Sequence, residues 1–314
     1  MDKSNNTLVG ISVHTDRTTI SHFPKTEAEF HDLFSDENTC VSYLFFTKWP
    51  QGFECPNCRT LNKTILPKRT ITCPNCGFHT SLTTNTVMHG TKKDLYSWLL
   101  AIWWLSVNTG GTSAKDLQRM LHLSSYQTAW TWMQKLRMVM AAADPGPCKG
   151  LVEVGSAEVS PAWEKPDKAR VIAAAEMLLP SGITGRIRMR GIDRLTAAGV
   201  TIFFHSSIQP GSSIVAPGLK PYADADKFGS VYVVDSPTQN PARITEIISS
   251  FEIWLNKVHR GGVAIKHLQH YLDEFCFRNN STILPDRQAV FTALLKGCMA
   301  GKTMPYRELV GEQQ

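Results

Sequence analysis

The chain has 314 residues, of which 42% are hydrophobic and 19% charged, with a formal net charge of +6. This balance excludes a disordered chain and leaves room for two domains with buried cores. The densest apolar run, residues 98–105, is far shorter than the roughly 20 residues of a membrane-spanning helix, so a core helix and no membrane partner are expected.

Charge is uneven along the chain. Residues 48–140 carry 11 Lys/Arg against 3 Asp/Glu, whereas Glu27, Glu29, Asp32, Asp36 and Glu37 make the preceding segment acidic. Nucleic-acid binding needs a local basic face of this kind, although an ordinary solvated surface can also be basic. The opening Met1-Asp2-Lys3-Ser4 has no basic stretch leading into an apolar run, and Cys40, Cys148, Cys276 and Cys298 are scattered singly, so a cytoplasmic, reducing location is expected.

Residues 1–25 read as a flexible tail and 26–90 as an N-terminal region, with a helix pattern at 26–34 and a zinc ribbon at about 48–80. The ribbon rests on Cys55-Pro-Asn-Cys58 and Cys73-Pro-Asn-Cys76. Two such pairs, joined by a segment short enough for a hairpin, supply four thiolates to one tetrahedral Zn²⁺ and leave no open position, so the metal is expected to be structural. A redox reading would require one pair beside a βαβ pattern.

Residues 83–90 read as a loop and 91–143 as a helical helix-turn-helix region. In it a buried helix at 92–107 is followed by one at 114–121, capped by Thr112 or Ser113, a turn at 122–125, and a third helix at 126–142. A recognition helix presents polar side chains from its N-terminal end, and an ordinary helical hairpin is the alternative. The DNA-contact candidates are Lys63, Lys68 and Arg69 in the ribbon, Lys92 and Lys93 after it, and Lys115 and Arg119 on the second helix. Tyr126, Gln127, Thr128, Thr131, Lys135 and Arg137 on the third helix complete the set.

Asp144-Pro145-Gly146-Pro147 reads as a linker, and the pattern then changes. Residues 148–280 show strands at 151–154, 169–178, 185–192, 213–215 and 231–234, then helices at 242–258 and 264–277. A further helix at 286–297 belongs to a C-terminal helix and tail, 281–314. Three strands in a meander, then alternating elements, then helices predict an RNase H-like α/β domain.

Trp49-Pro50-Gln51-Gly52-Phe53-Glu54-Cys55-Pro56-Asn57-Cys58, Leu117-Gln118-Arg119-Met120-Leu121 and Ser125-Tyr126-Gln127-Thr128-Ala129-Trp130 resemble zinc-ribbon insertion-sequence DDE transposases, the bacterial relatives of Merlin elements. Trp254-Leu255, Lys266-His267-Leu268-Gln269, Tyr271-Leu272-Asp273-Glu274-Phe275 and Phe277-Arg278 with Asn280 resemble the same family. The resemblance implies a domain that holds two Mg²⁺ with three acidic or amide side chains for in-line attack on DNA phosphodiesters. At the matching positions this chain has Gly155, Pro217 and Ser250, and a Ser at 156 where the family has Glu. None of the three supplies a carboxylate, so no catalytic residue is assigned.

The expectation is a transposase homologue that binds DNA, such as insertion-sequence ends, but has lost cleavage and strand transfer, a pseudoenzyme in a regulatory or domesticated role. It would act as a homo-oligomer or paired with an active transposase. Two other readings stay open. One is an active Mg²⁺-dependent transposase with a relocated site, for which Glu153, Asp224, Asp235, Glu246 and Glu252 are the available acids. The other is a protein-interaction module. His259, His267, His270 and Glu274 match no compact metal motif and read as structural.

Overall fold

A computed structural model of the protein describes residues 11–12, 23–65, 69–144, 146–161, 168–222, 231–233, 239–260, 262–301 and 306–310. Lys68, Asp224 and Asp235 lie outside the described residues. The chain divides into two compact units. One comprises Met1–Val107, Leu117–Val139 and Arg287–Gln314, the other Asn108–Asp116 and Met140–Asp286.

The first unit begins with β1 (Ile11–Ser12), followed by α1 (Glu27–Leu33) and α2 (Glu37–Lys48). Thr26 caps α1 by accepting the Glu29 N–H, and Asp36 caps α2 by accepting that of Thr39. Four short strands then form β2 (Phe53–Glu54), β3 (Leu61–Asn62), β4 (Thr64–Ile65) and β5 (Thr70–Thr72), with β6 (His79–Ser81) closing the set. They pair antiparallel as β2 with β3, β5 with β6 and β1 with β4.

Next comes α3 (Leu95–Val107), apolar on most sides and correspondingly buried. Its Trp98 lies flat on Trp132, with ring centroids 3.8 Å apart, and its Trp103 packs against Phe30. Each such buried side chain contributes roughly 2–3 kcal/mol through area removed from water. Two further helices follow, α4 (Ala114–Met120) and α5 (Tyr126–Ala143). Ser113 and Asp116 cap α4 reciprocally, the Asp116 N–H donating to Ser113 Oγ and the Ser113 N–H to Asp116 Oδ2.

The second unit is built on β7 (Leu151–Val159), β8 (Ala169–Leu178), β9 (Ile183–Ile192), α6 (Ala197–Ser207), β10 (Ser213–Ala216), β11 (Val231–Val233), α7 (Ala242–Val258) and α8 (Leu268–Asn280). The five strands form one sheet in the order β11-β10-β7-β8-β9. The pairs β7–β8 and β8–β9 are antiparallel, while β10 runs parallel to both β7 and β11.

Strand alternation sends opposite faces of this sheet into two cores. Val171, Ala173 and Ala175 lie against Ile244, Ile248, Phe251 and Leu255 of α7 and Leu272 of α8. Val152, Val154, Ile172 and Ala174 lie against Val200, Phe203 and Phe204 of α6. The sequence reading named no helix at 197–207, because its Val-Thr-Ile-Phe-Phe run has β-branched and aromatic residues that also suit a strand.

The edge strand β9 is closed by side chains of α8. Asn280 accepts the Ile187 N–H and donates to the Ile187 carbonyl, at 2.8 and 3.0 Å. Gln269 accepts the Gly191 N–H and donates to the Met189 carbonyl, at 3.0 and 3.2 Å. Arg188 pairs with Asp144, to which Asn280 also donates. Glu274, considered above beside His267, is instead held by Arg278 at 2.7 Å.

The last elements are α9 (Arg287–Ala300) and α10 (Tyr306–Val310). They complete the first unit, where Phe291 meets Phe23 and the Val87 N–H donates to the Cys298 carbonyl. Among the described residues no helix is long and apolar enough to cross a membrane.

Candidate functional site

The four cysteines converge. The Sγ atoms of Cys55, Cys58, Cys73 and Cys76 all lie within 4.8 Å of one another, with Cys55 to Cys76 at 3.6 Å and Cys58 to Cys73 at 3.5 Å. Among the described residues this is the one group of three or more Cys, His, Asp or Glu side chains that could hold a metal ion. Zn–S bonds of about 2.3 Å in a tetrahedron require sulfurs about 3.8 Å apart, close to what the residues present.

The two halves of the cluster repeat each other. In one, the Cys55 N–H donates to the Thr60 carbonyl and the Arg59 N–H to the Cys55 carbonyl; in the other, Cys73 with Phe78 and Gly77 with Cys73 do the same. Arg59 and Gly77 occupy the same left-handed conformation, at φ 62° and 73°. The two Pro-Asn pairs also cross-brace the sulfurs. Asn57 hydrogen-bonds Cys76 and Asn75 hydrogen-bonds Cys58, each favouring the thiolate. With Thr60 as the largest influence, the Cys58 thiol is held down to about 5, while burial pushes Cys55 up to about 11.

The candidate DNA contacts are not equally placed. Lys63, Lys92, Lys115, Arg119, Tyr126 and Gln127 are exposed, and Lys93, Thr128 and Thr131 are partly exposed. Residues 121–125 join α4 to α5, with the Leu123 N–H donating to the Gln118 carbonyl and His122 at φ 47°. Three positions differ from expectation. Arg137 is only 1% exposed, because it sits on the core-facing side of α5 beside Met133 and Leu136 in sequence, and it presents no guanidinium at the surface. Arg69 is bound to Glu37 at 2.6 Å and donates to the Lys93 carbonyl, so it braces the fold. Lys135 is half-buried and donates to the Val87 carbonyl.

In the second unit, β10 pairs with β7 from Ser213 with Leu151 to Val215 with Glu153; Gly155 lies two residues beyond Glu153 on β7, and Pro217 follows the end of β10. Ser250 is exposed on α7, six residues beyond Ile244, or about 9 Å along a helix. The α7 end nearest Gly155 carries Asn240 and Ile244. A carbon added to Gly155 would collide with Asn240 Oδ1 and meet Ile244 Cγ2 at 3.0 Å.

Asn240 does more than fill space. Where β10 has ended, its side chain accepts the Ser156 N–H and donates to the Ser156 carbonyl, both at 3.0 Å, and so continues the ladder beside β7. Glu153, on the Gly155 face, lies 3.5 Å from the Arg243 guanidinium of α7. Glu252 accepts the Ser160 N–H and Glu246 is exposed. The described acids near the cleft are thus spread apart or paired with protein groups. No sequence signal singled out Asn240, whose role depends on where β10 stops.

No curated protein matches the chain. Residues 155–280, from the middle of β7 to the end of α8, match the family model of the ISXO2-like transposase domain, which supports an insertion-sequence DDE transposase family for this part of the chain.

Proposed function

We propose that this protein is a DNA-binding transposase homologue that no longer cleaves or joins DNA. The observation that carries the reading is Asn240, seated where a carboxylate at position 155 would stand and bonded to the β7 backbone. The sheet order, with β10 and β11 parallel to β7 and the meander on the other side, supports an RNase H-like domain whose metal site would lie at 155 and 217. Gly155 and Pro217 offer no side-chain ligand, and Ser250 lies apart, so the residues present do not fit a pair of Mg²⁺ ions.

The rest of the chain supports DNA binding. The cysteine cluster suits a structural Zn²⁺, which would give the small strands β2, β3, β5 and β6 the folding energy their few apolar residues lack. The α4–α5 pair is read as a helix-turn-helix, with exposed Arg119, Tyr126 and Gln127 at its polar end. Such a protein would occupy element ends in the cytoplasm, as a homo-oligomer or beside an active transposase.

The test combines binding with cleavage. Duplex affinity is expected to fall by about 10³ or more between 50 and 200 mM salt if six or more phosphates are contacted. Labelled element ends incubated with Mg²⁺ or Mn²⁺ are expected to stay intact. Cleavage that disappears in Glu153→Gln would overturn the reading in favour of a relocated site.

A further inference from the structure

A second polar feature of the first unit has no part in the metal cluster or the helix pair. Between the end of β6 and the start of α3 lies a cleft of about 580 Å³, lined by Ser81, Thr83, Thr84, His89, Thr91 and Lys92 together with Arg69 and Gly90. Among the described residues no carboxylate lines it, which disfavours a cation, and no apolar side chain lines it, which disfavours a hydrophobic ligand.

The hydroxyls are biased toward donating. Thr91 Oγ1 already accepts the Lys93 N–H at 3.2 Å and the Trp98 indole N–H at 3.0 Å, so its own proton is left for a ligand. Ser81 and Thr83 share one hydroxyl hydrogen bond at 3.2 Å, and one of the two protons is left over in the same way. Lys92 and His89 stand exposed at the rim. Lys48 lies behind the lining backbone, donating to the Leu82 carbonyl at 2.9 Å and to that of Thr84, which adds positive charge. Arg69 is neutralised by Glu37 and is not counted.

The walls are fixed before anything binds. Thr86 Oγ1 donates to the Thr83 carbonyl and accepts the Met88 N–H, and the Thr91 N–H returns to the Met88 carbonyl. Donors convergent on a preformed, carboxylate-free cleft suit an oxyanion.

We propose that this cleft seats a backbone phosphate of bound DNA. The assignment rests on the DNA-binding reading above and adds to it a contact that lies in neither the ribbon knuckles nor the helix pair. A contact of this kind positions the duplex and carries no sequence information.

The experiment measures duplex affinity against salt for the full chain and for the double variant His89→Ala/Lys92→Ala, with zinc content and circular dichroism confirming that both are folded. The slope of log K against log salt is expected to become shallower by about 0.9 per phosphate lost, equally for related and unrelated sequences. Lys92→Glu should weaken binding further, while Lys296→Glu, the same charge change on the exposed side of α9, should not. If the wild type binds and the double variant keeps its slope and affinity, or if Lys296→Glu weakens binding as much as Lys92→Glu, the phosphate seat is wrong. If the wild type shows no salt-dependent binding, the DNA reading itself fails and takes the seat with it. Adding inorganic phosphate separates the sources, since a seat for free phosphate would saturate at low concentrations and compete with DNA in the wild type alone.

Discussion

Two regions of this chain invite a reading as metal sites, one through the ligands it holds and the other through its match to a transposase domain. At the cysteine cluster every ligand is present, the sulfurs lie within 4.8 Å, and even the neighbouring Asn57 and Asn75 are arranged to favour thiolates. Where β10 ends beside β7, positions 155 and 217 carry a glycine and a proline, and Asn240 packs against Gly155. On the function proposed above, the lesson is that a fold can outlast the chemistry of its site, because the same backbone is also what packs the sheet. The ribbon has no such independence, since without its ligands little apolar burial remains to hold it.

The largest expected effect comes from removing a cysteine. Cys73→Ser should lower metal affinity by more than about 100-fold, beyond what the loss of a supporting hydrogen bond costs, and abolish DNA binding with it. Metal content by mass spectrometry and a mobility-shift assay check this; retained DNA binding in a metal-free variant would make the cluster merely a staple.

Refilling the cleft should fail. Gly155→Asp forces a side chain into Asn240 and is expected to destabilise the protein by about 1–3 kcal/mol from overpacking alone, read by urea unfolding, and to restore no cleavage. Adding Asn240→Gly should recover part of that loss by making room. If Gly155→Asp were neutral and gained Mg²⁺ affinity, the contrast between the two regions would collapse.

A remaining acid of the second unit separates folding from chemistry. Burial pushes Asp273 from 3.8 up to about 6, with Gln269 donating to it and Asp144 and Arg188 near. Its folded value exceeds its unfolded one, so the folded protein binds the extra proton, and this contribution is present below about pH 4 and lost as pH rises through 6. Asp273→Asn should therefore stabilise the protein by about 2 kcal/mol at pH 7.5 and flatten the pH 4–6 slope of unfolding, with DNA binding unchanged.

The smallest effects are expected on the helix pair. Arg119→Ala should weaken duplex binding several-fold and reduce the salt slope by about 0.9, whereas Arg137→Met should leave that slope intact, since its guanidinium is buried.

Much of this was legible from local patterns. The doubled Cys-Pro-Asn-Cys spacing brings the cluster together, and β8 and α7 appear where alternation and helical periodicity placed them. What escaped depends on tertiary contact. Charge along a helix does not reveal that Arg137 faces the core, nor does a count of basic residues reveal that Arg69 is spoken for by Glu37. The last long helix, read as part of a separate C-terminal segment, packs with residues of the first unit, because Val290, Phe291, Leu294 and Leu295 form a stripe that must be buried somewhere. Asn240 could not be foreseen from its own sequence, since an Asn before a helix is ordinarily a cap.

The amides of Gln269 and Asn280 along β9 bear on how this molecule behaves in company. An outer strand with open N–H and C=O groups is a template on which a neighbour can add its own strand, the first step of sheet-to-sheet aggregation. Here both backbone groups of Ile187, the Met189 carbonyl and the Gly191 N–H are already answered from within the same unit. Along this stretch of β9 the sheet is poorly suited to strand addition, so a second copy that met it there would have to do so through side chains.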